Sequence, residues 1–176
     1  MAGPLCTASC CGTDTHGPTC GFTVRPIVKT PFDISSTREM IVNGHKIEPN
    51  ANLSGEIVGY DLFSKDLSGV NLTGANLSGA ILCCNFAGAK LIGANLRGAL
   101  LSNSMMTGAN LTNADLSGAN LTGADLFYAH LRNADLTGAN LTGANLHGAD
   151  LTGANLTGAN LTGADLTGAT LHGVIR

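Results

Sequence analysis

Five thiol and imidazole side chains that could hold a metal ion lie close together near the start of the sequence. They are Cys6, Cys10, Cys11, His16 and Cys20. Zinc prefers such ligands, but its sites usually contain a C-x₂-C pair, and the spacing here is C-x₃-C-C-x₈-C. Disulfides, which need an oxidising compartment, and a reduced segment that orders on a partner are the other two interpretations. We expect no cofactor and keep the metal site as an alternative.

Catalytic signatures are absent from the sequence. It contains no G-x-S-x-G, no G-x-G-x-x-G and no P-loop motif. Only 12% of the residues are charged, there is no Trp, and the formal net charge is −3. So small a net charge does not steer a protein toward nucleic acid or membrane. We therefore predict that the protein is not an enzyme and that nucleic acid is not its partner.

A five-residue period governs the chain after its last proline, Pro49. From Leu91 to Leu171 a large apolar residue recurs at every fifth position without a break, with Met106 in place of Leu. An α-helix has a period of 3.6 residues and a strand has a period of two, so neither element alone explains the pattern. Between Leu82 and Phe86 the step is only four residues, which means that one residue is missing there.

Each position of the five-residue unit has its own chemistry. Ala and Leu lie two residues apart and are predicted to face inward, while the Asn or Asp between them faces outward. Thr or Ser follows the Leu, and then Gly takes the third place of a Leu-Thr-Gly-Ala turn, where a type II turn needs a positive φ. Asn replaces this Gly at Asn103, Asn113 and Asn133 and tolerates the same conformation. The unit is thus a short extended segment followed by a corner.

The repeated A-(N/D)-L-(T/S)-G pattern resembles the pentapeptide-repeat family over residues 51–176. The resemblance implies an all-β fold, a right-handed quadrilateral parallel β-helix with four units in each of about six coils. Residues twenty apart would then stack, and the Leu side chains would fill the interior. We divide the chain accordingly into a Pro/Cys-rich N-terminal arm at 1–50 and a pentapeptide-repeat solenoid at 51–176.

The two ends of the solenoid are predicted to differ. Asn43-Gly44 lies between two short apolar runs and predicts a two-residue hairpin, which would cap the first coil. The C-terminal coil has no such cap, so we expect it to contact a second copy of the chain or another protein. The sequence shows neither a transmembrane span nor a signal peptide, which favours an intracellular location.

One corner breaks the pattern with aromatic residues. Phe127 and Tyr128 replace the usual Thr and Gly, and stacking at twenty residues places His147 one coil above Phe127. Exposed aromatic side chains commonly anchor protein interfaces, so we propose Phe127, Tyr128 and His147 as an interaction site; a tolerated surface substitution is the alternative. Because a bulky residue at positive φ is unfavourable, we also expect a different turn at this corner.

Three functions remain open. The first is a structural or scaffolding rod that acts through protein–protein contacts as a subunit of a larger assembly. The second is a regulatory binder, because several members of the family resemble DNA and bind type II topoisomerases through an acidic surface. Residues 51–176 carry 8 acidic and 5 basic side chains, a weak imitation of a duplex with one charge per about 1.7 Å. The third is a metal or redox module, in which the Cys-rich arm does the chemistry and the solenoid is a spacer.

Overall fold

The structure is a computed structural model and describes residues 41–42, 45–46 and 66–176. The predicted arm at 1–50 lies outside these residues except for two short strands, and so do the first units of the repeat. In the part of the chain that is described, no helix is long and apolar enough to cross a bilayer.

The two strands form the predicted hairpin. β1 spans Ile41–Val42 and β2 spans His45–Lys46, and they pair antiparallel. Val42 lies opposite His45, with Asn43-Gly44 between them in the sequence. The hairpin is therefore confirmed, while its role as a cap stays a prediction.

The corners of the described coil recur every five residues, except for one step of four residues between Leu82 and Phe86. At the regular corners the N–H of the Ala position donates to the carbonyl of the Leu position three residues earlier, as from Ala139 to Leu136 at 2.9 Å; at the short step the N–H of Cys84 donates to Leu82 at 2.8 Å. The Gly between them has a positive φ, for example 64° at Gly138, and Asn103 takes the same conformation with a φ of 55°. The turn predicted from Leu-Thr-Gly-Ala is thus confirmed.

Parallel backbone pairing joins each coil to the next. Asn120 pairs with Asn140 and Asn140 pairs with Asn160, so paired residues are twenty apart and four corners separate them. The N–H of Asn140 donates to Ala119 at 2.9 Å, and the N–H of Leu121 donates to Asn140 at 2.7 Å. The chain is therefore a β-helix whose coils bond to both neighbours, as the five-residue period predicts.

One coil is a residue shorter than the others. Ile81 pairs with Leu100, nineteen residues later, and the spacing of twenty begins at Asn85, which pairs with Met105. The missing residue lies in the four-residue step between Leu82 and Phe86, as the sequence indicates. The lateral pairing continues through this step, so the irregularity shortens one coil without ending the stack.

The interior of the coil is a column of Leu and Ala side chains. From Leu91 to Leu151 every side chain at the Leu position is fully buried, including Met106. Phe86 fills the same position and is 1% exposed. The outward residues close their own corners: Oδ1 of Asn140 accepts the N–H of Thr142 at 3.1 Å and its hydroxyl at 2.6 Å. Core and corner are therefore built from one repeated unit.

The last coil is covered on one side only. Leu161, Leu166 and Leu171 are half-buried, and Ile175 is exposed. Among the described residues, the backbone N–H groups of these three Leu residues have no acceptor, whereas those of Leu141 and Leu146 donate to the following coil. The chain thus presents an apolar, strand-like surface at residues 157–176.

Candidate protein-contact site

The five candidate metal ligands lie outside the described residues, so a metal site there stays a prediction. They are Cys6, Cys10, Cys11, His16 and Cys20. Within the described ranges, no three His, Cys, Asp or Glu side chains come together as metal ligands would. The other two cysteines, Cys83 and Cys84, are buried in the coil, and no disulfide joins them to each other.

Phe127 and Tyr128 lie at a corner whose backbone matches its neighbours. The φ of Tyr128 is 53°, in the region that Gly occupies at most other corners. The N–H of Ala129 donates to Leu126 at 2.9 Å, and the N–H of Tyr128 donates to His147 in the next coil at 3.0 Å. The expectation of a different turn is therefore wrong. Hydrogen bonds within the corner and to the next coil keep the ordinary turn, and Tyr128 adopts the left-handed conformation.

This conformation sets Tyr128 apart from the other residues that replace Gly. In the described part of the chain, the remaining non-Gly residues with positive φ are Asn103, Asn113 and Asn133. Asn tolerates this conformation because its short polar side chain bonds locally, whereas other residues lose about 1–2 kcal/mol. The corner therefore carries a backbone strain that Gly or Asn would relieve.

Three rings pack together at this corner. Phe127 stacks on His147 with 5.3 Å between the ring centroids and 15° between the planes. Tyr128 meets Phe127 edge-on at 4.5 Å and His147 edge-on at 6.1 Å. Both arrangements are favourable for aromatic pairs. The structure thus brings together the three residues predicted from sequence, and we call them the aromatic corner.

Asp125, the outward residue of the same unit, fixes the aromatic corner from one side. Its Oδ1 accepts the N–H of Phe127 at 3.2 Å and the Nδ2 hydrogen of Asn145 at 2.9 Å. Its Oδ2 accepts the hydroxyl of Thr107 at 2.8 Å. Since these donors come from three successive coils, Asp125 is held in place while keeping its negative charge unpaired by any described Lys or Arg.

Asp165 lies at the other side of the aromatic corner. Its Oδ1 accepts the N–H of Thr167 at 2.9 Å, and its Oδ2 lies 4.0 Å from Nδ1 of His147. Hydrogen bonds from the side chain and backbone of Thr167 lower the pKa of Asp165, and His147 adds to this effect. The site therefore carries a second carboxylate, which is exposed and ionised at neutral pH.

Sequence reasoning missed Met105, which lies in the coil below. Its side chain is 52% exposed, and its backbone pairs with Asp125. The signal was present in the pair Met105-Met106: the second fills the Leu position, so the first must face outward where Asn or Asp is usual. Most of the exposed large hydrophobic side chains of the described part lie on one side of the coil, namely Met105, Phe127 and Tyr128. Ile175 lies on another side.

A family model described as pentapeptide repeats matches the sequence in several copies. The matched residues are 65–83, 84–123, 119–158 and 144–175. No curated protein matches the chain.

Several solved structures are similar to this chain. The pentapeptide repeat protein Rfr23 from the cyanobacterium Cyanothece 51142 is 34% identical, with a TM-score of 0.52 and a match covering 70% of this chain and 93% of that one. HetL, a pentapeptide repeat protein involved in heterocyst differentiation regulation in Nostoc sp. strain PCC 7120, is 32% identical, with 62% and 67% covered and a TM-score of 0.28. QnrB1, a plasmid-mediated fluoroquinolone resistance protein, is 27% identical, with 62% and 58% covered and a TM-score of 0.38. The likeness to Rfr23 supports the coiled fold over nearly the whole length of that protein.

Proposed function

The chain belongs to the pentapeptide-repeat family, and we propose that it is a non-enzymatic, right-handed β-helical rod that binds protein partners as a scaffold or as a subunit of a larger assembly. At four units per coil, residues 51–176 give about six coils. The aromatic corner is the proposed contact site.

The observation that carries this proposal is the conformation of Tyr128. Gly or Asn would satisfy the backbone at this position, yet a ring that is 54% exposed stands there at a φ of 53°. Strained residues cluster at functional sites, and Tyr is enriched among the residues that dominate binding energy at protein interfaces. A protein contact explains why the strain and the exposed ring occur together.

The carboxylates of the described surface give little support to the second function, a topoisomerase-binding DNA mimic. Asp115 and Asp135 stack in one column. Asp150 lies in another column, where Arg132 pairs with it at 3.2 Å. Since the other described carboxylates lie in a third column, the described charges do not form the continuous stripe that a duplex presents. This distribution favours the scaffold.

We also propose that the chain self-associates through its last coil. The half-buried Leu161, Leu166 and Leu171 and their unbonded N–H groups resemble an open strand edge, which readily pairs with another chain. Replacing Leu166 with Asp should lower the molar mass measured by size-exclusion chromatography with light scattering. An unchanged mass in that variant, or a monomeric unmodified chain, would contradict self-association.

The contact site is tested by comparing two double variants. Phe127→Thr with Tyr128→Gly restores the usual Thr-Gly corner and removes two rings. Arg132→Thr with Asn133→Gly makes the same restoration at the next corner and is the matched control. We expect the aromatic variant to lose partner proteins that the unmodified chain captures from extracts of its source cells, and the control to retain them. If both variants captured the same proteins as the unmodified chain, the aromatic corner would not be the contact site.

The N-terminal arm is tested separately, because its structure lies outside the described residues. A chain without residues 1–50 should lose partners if the arm orders on a protein. Zinc content of the purified full chain distinguishes the third function: stoichiometric metal that disappears when Cys6 and Cys10 are changed to Ser would establish a metal module. Metal-free protein would contradict the metal module.

A further inference from the structure

Within residues 66–176, one side of the coil combines the aromatic corner with carboxylates and carries no Lys or Arg. We call this side the Asp125 face. It consists of one column of paired outward residues and of the corners beside them, where each corner contributes the two residues that follow the Leu position. The outward residues are Asp66, Asn85, Met105, Asp125, Asn145 and Asp165. The corner residues include Phe127, Tyr128 and His147.

Within the described coil, residues 66–176, the Lys and Arg residues all lie on other sides. Lys90 belongs to the column of Asn110 and His130, and Arg132 follows His130 at its corner. Arg97 and Arg176 follow outward residues of a third column. The Asp125 face therefore carries three carboxylates and no Lys or Arg, while the remaining sides together balance their carboxylates with cations.

This charge distribution decides the chemistry of the partner. A negative face repels nucleic acid and anionic lipid, and it attracts a cationic segment of a protein. The apolar part of the face agrees with a protein, because Met105 and Phe127 offer surface that can pack against apolar side chains. A basic segment that also carries apolar residues fits both properties.

Among cations, the rings favour Arg over Lys. A guanidinium is planar, stacks on an aromatic face and still pairs with a carboxylate, whereas an ammonium is a compact and strongly hydrated charge. Tyr128 provides an exposed ring, held by its edge-on contacts to Phe127 and His147. Asp165 provides an ionised carboxylate whose side chain is 53% exposed.

We propose that the Asp125 face binds a basic segment of a partner protein, with an Arg of that segment stacked on Tyr128 and charge-paired with Asp165. The proposal rests on the aromatic corner being a contact site and adds the chemistry of what it contacts. Asp125 acts differently from Asp165: its oxygens are already bonded to Thr107, Phe127 and Asn145, so it contributes charge to the face and positions the ring rather than pairing directly.

The test uses the full chain and short synthetic peptides with alternating Leu and Arg. A peptide with citrulline in place of Arg keeps the shape and removes the charge, and a Lys peptide keeps the charge and removes the planar group. Binding is followed by the NMR shifts of the Tyr128 ring and the His147 imidazole. We expect the Arg peptide to bind about tenfold more tightly than the citrulline peptide, and severalfold more tightly than the Lys peptide.

Two variants assign the interaction to residues. Asp165→Asn keeps the Oδ1 acceptor for Thr167 and removes the charge, and it should weaken the Arg peptide severalfold with no effect on the citrulline peptide. Tyr128→Gly should abolish saturable binding, while the control Arg132→Thr with Asn133→Gly should bind as the unmodified chain does. Circular dichroism confirms that each variant keeps the coil.

The outcomes distinguish the basic-segment proposal from the broader proposal that the aromatic corner is a contact site. Equal affinity for the Arg and citrulline peptides, or shifts that map away from Tyr128 and His147, would overturn the basic-segment proposal. If the aromatic variant nevertheless lost cellular partners, the contact site would stand and only its chemistry would be wrong. An affinity ratio of the Arg peptide to the citrulline peptide that is unchanged in Asp165→Asn would overturn the assigned charge pair.

Discussion

The ring of Tyr128 packs against Gly148, the residue in the same corner position one coil further along the chain. A Cβ added to Gly148 would lie 2.5 Å from Cε1 of Tyr128, closer than real Cβ contacts. Gly148 also has a φ of 67°, so two independent features favour Gly there. The aromatic corner thus imposes a requirement on the coil that follows it.

The first prediction separates these two features with a double-mutant cycle. Gly138→Ala should cost about 1–2 kcal/mol of unfolding free energy, because its φ is 64° and its added Cβ meets nothing within 4 Å. Gly148→Ala should cost about 1 kcal/mol more, since the Tyr128 ring must leave its aromatic contacts. In a Tyr128→Gly background the excess should vanish. An excess that persisted there would show that the ring is not its cause; urea denaturation measures the unmodified chain and each variant.

The second prediction concerns the stability of the corner without its ring. Tyr128→Gly relieves a left-handed backbone worth about 1–2 kcal/mol, and it loses ring contacts together with about 0.5–1 kcal/mol of backbone entropy. We therefore expect the unfolding free energy to change by less than about 1 kcal/mol. A loss several times larger in urea denaturation would mean that Tyr128 stabilises the fold, and the case for a binding role would fail.

Most of the fold follows from the sequence because one unit repeats. The Leu positions, the outward Asn and Asp, and the positive φ of Gly138 or Asn103 are each determined by five neighbouring residues. Even the shortened coil at Leu82 to Phe86 is visible as a four-residue step. Local patterns suffice here because each coil contacts only its neighbours.

The candidate site was predictable only in part. Stacking at twenty residues correctly brings His147 onto Phe127. The turn at Tyr128 was not predictable, since a local steric preference opposes it and bonds to another coil decide it. Asp165 joins the site through its contact with His147, which lies eighteen residues earlier in the sequence. Stacking at intervals of twenty residues does not reveal such a diagonal contact.

The third prediction follows from the stacking of the coils in a row, in which each coil contacts only its neighbours. Phe86 fills a Leu position beside the shortened step and is 1% exposed, so Phe86→Ala should cost about 3–5 kcal/mol. Because contacts are nearest-neighbour, the loss should be local. We expect hydrogen exchange to accelerate at the amides of Leu67 and Leu72 and to change little at Leu136. Uniform acceleration along the chain would contradict local opening.

The fourth prediction concerns acid. The hydroxyl of Thr152 bonds to Asp150 and is the largest cause that lowers its pKa; Arg132 adds a smaller contribution. Since the pKa is lower in the folded chain than in the unfolded chain, Asp150 stabilises the fold above its unfolded pKa of about 3.9. That contribution is lost as pH falls through the folded pKa.

The unfolding free energy should therefore decrease below about pH 4, and Asp150→Asn should reduce the decrease. Thr152→Val removes the larger cause and Arg132→Gln the smaller one, so we expect Thr152→Val to flatten the acid dependence more. Urea denaturation at neutral and acidic pH measures each slope. If Arg132→Gln flattened it more, the ion pair with Arg132 rather than the hydroxyl of Thr152 would control the ionisation of Asp150. If neither variant altered the slope, the acid sensitivity would come from other carboxylates, of which Asp66 and Asp165 also have lowered pKa values.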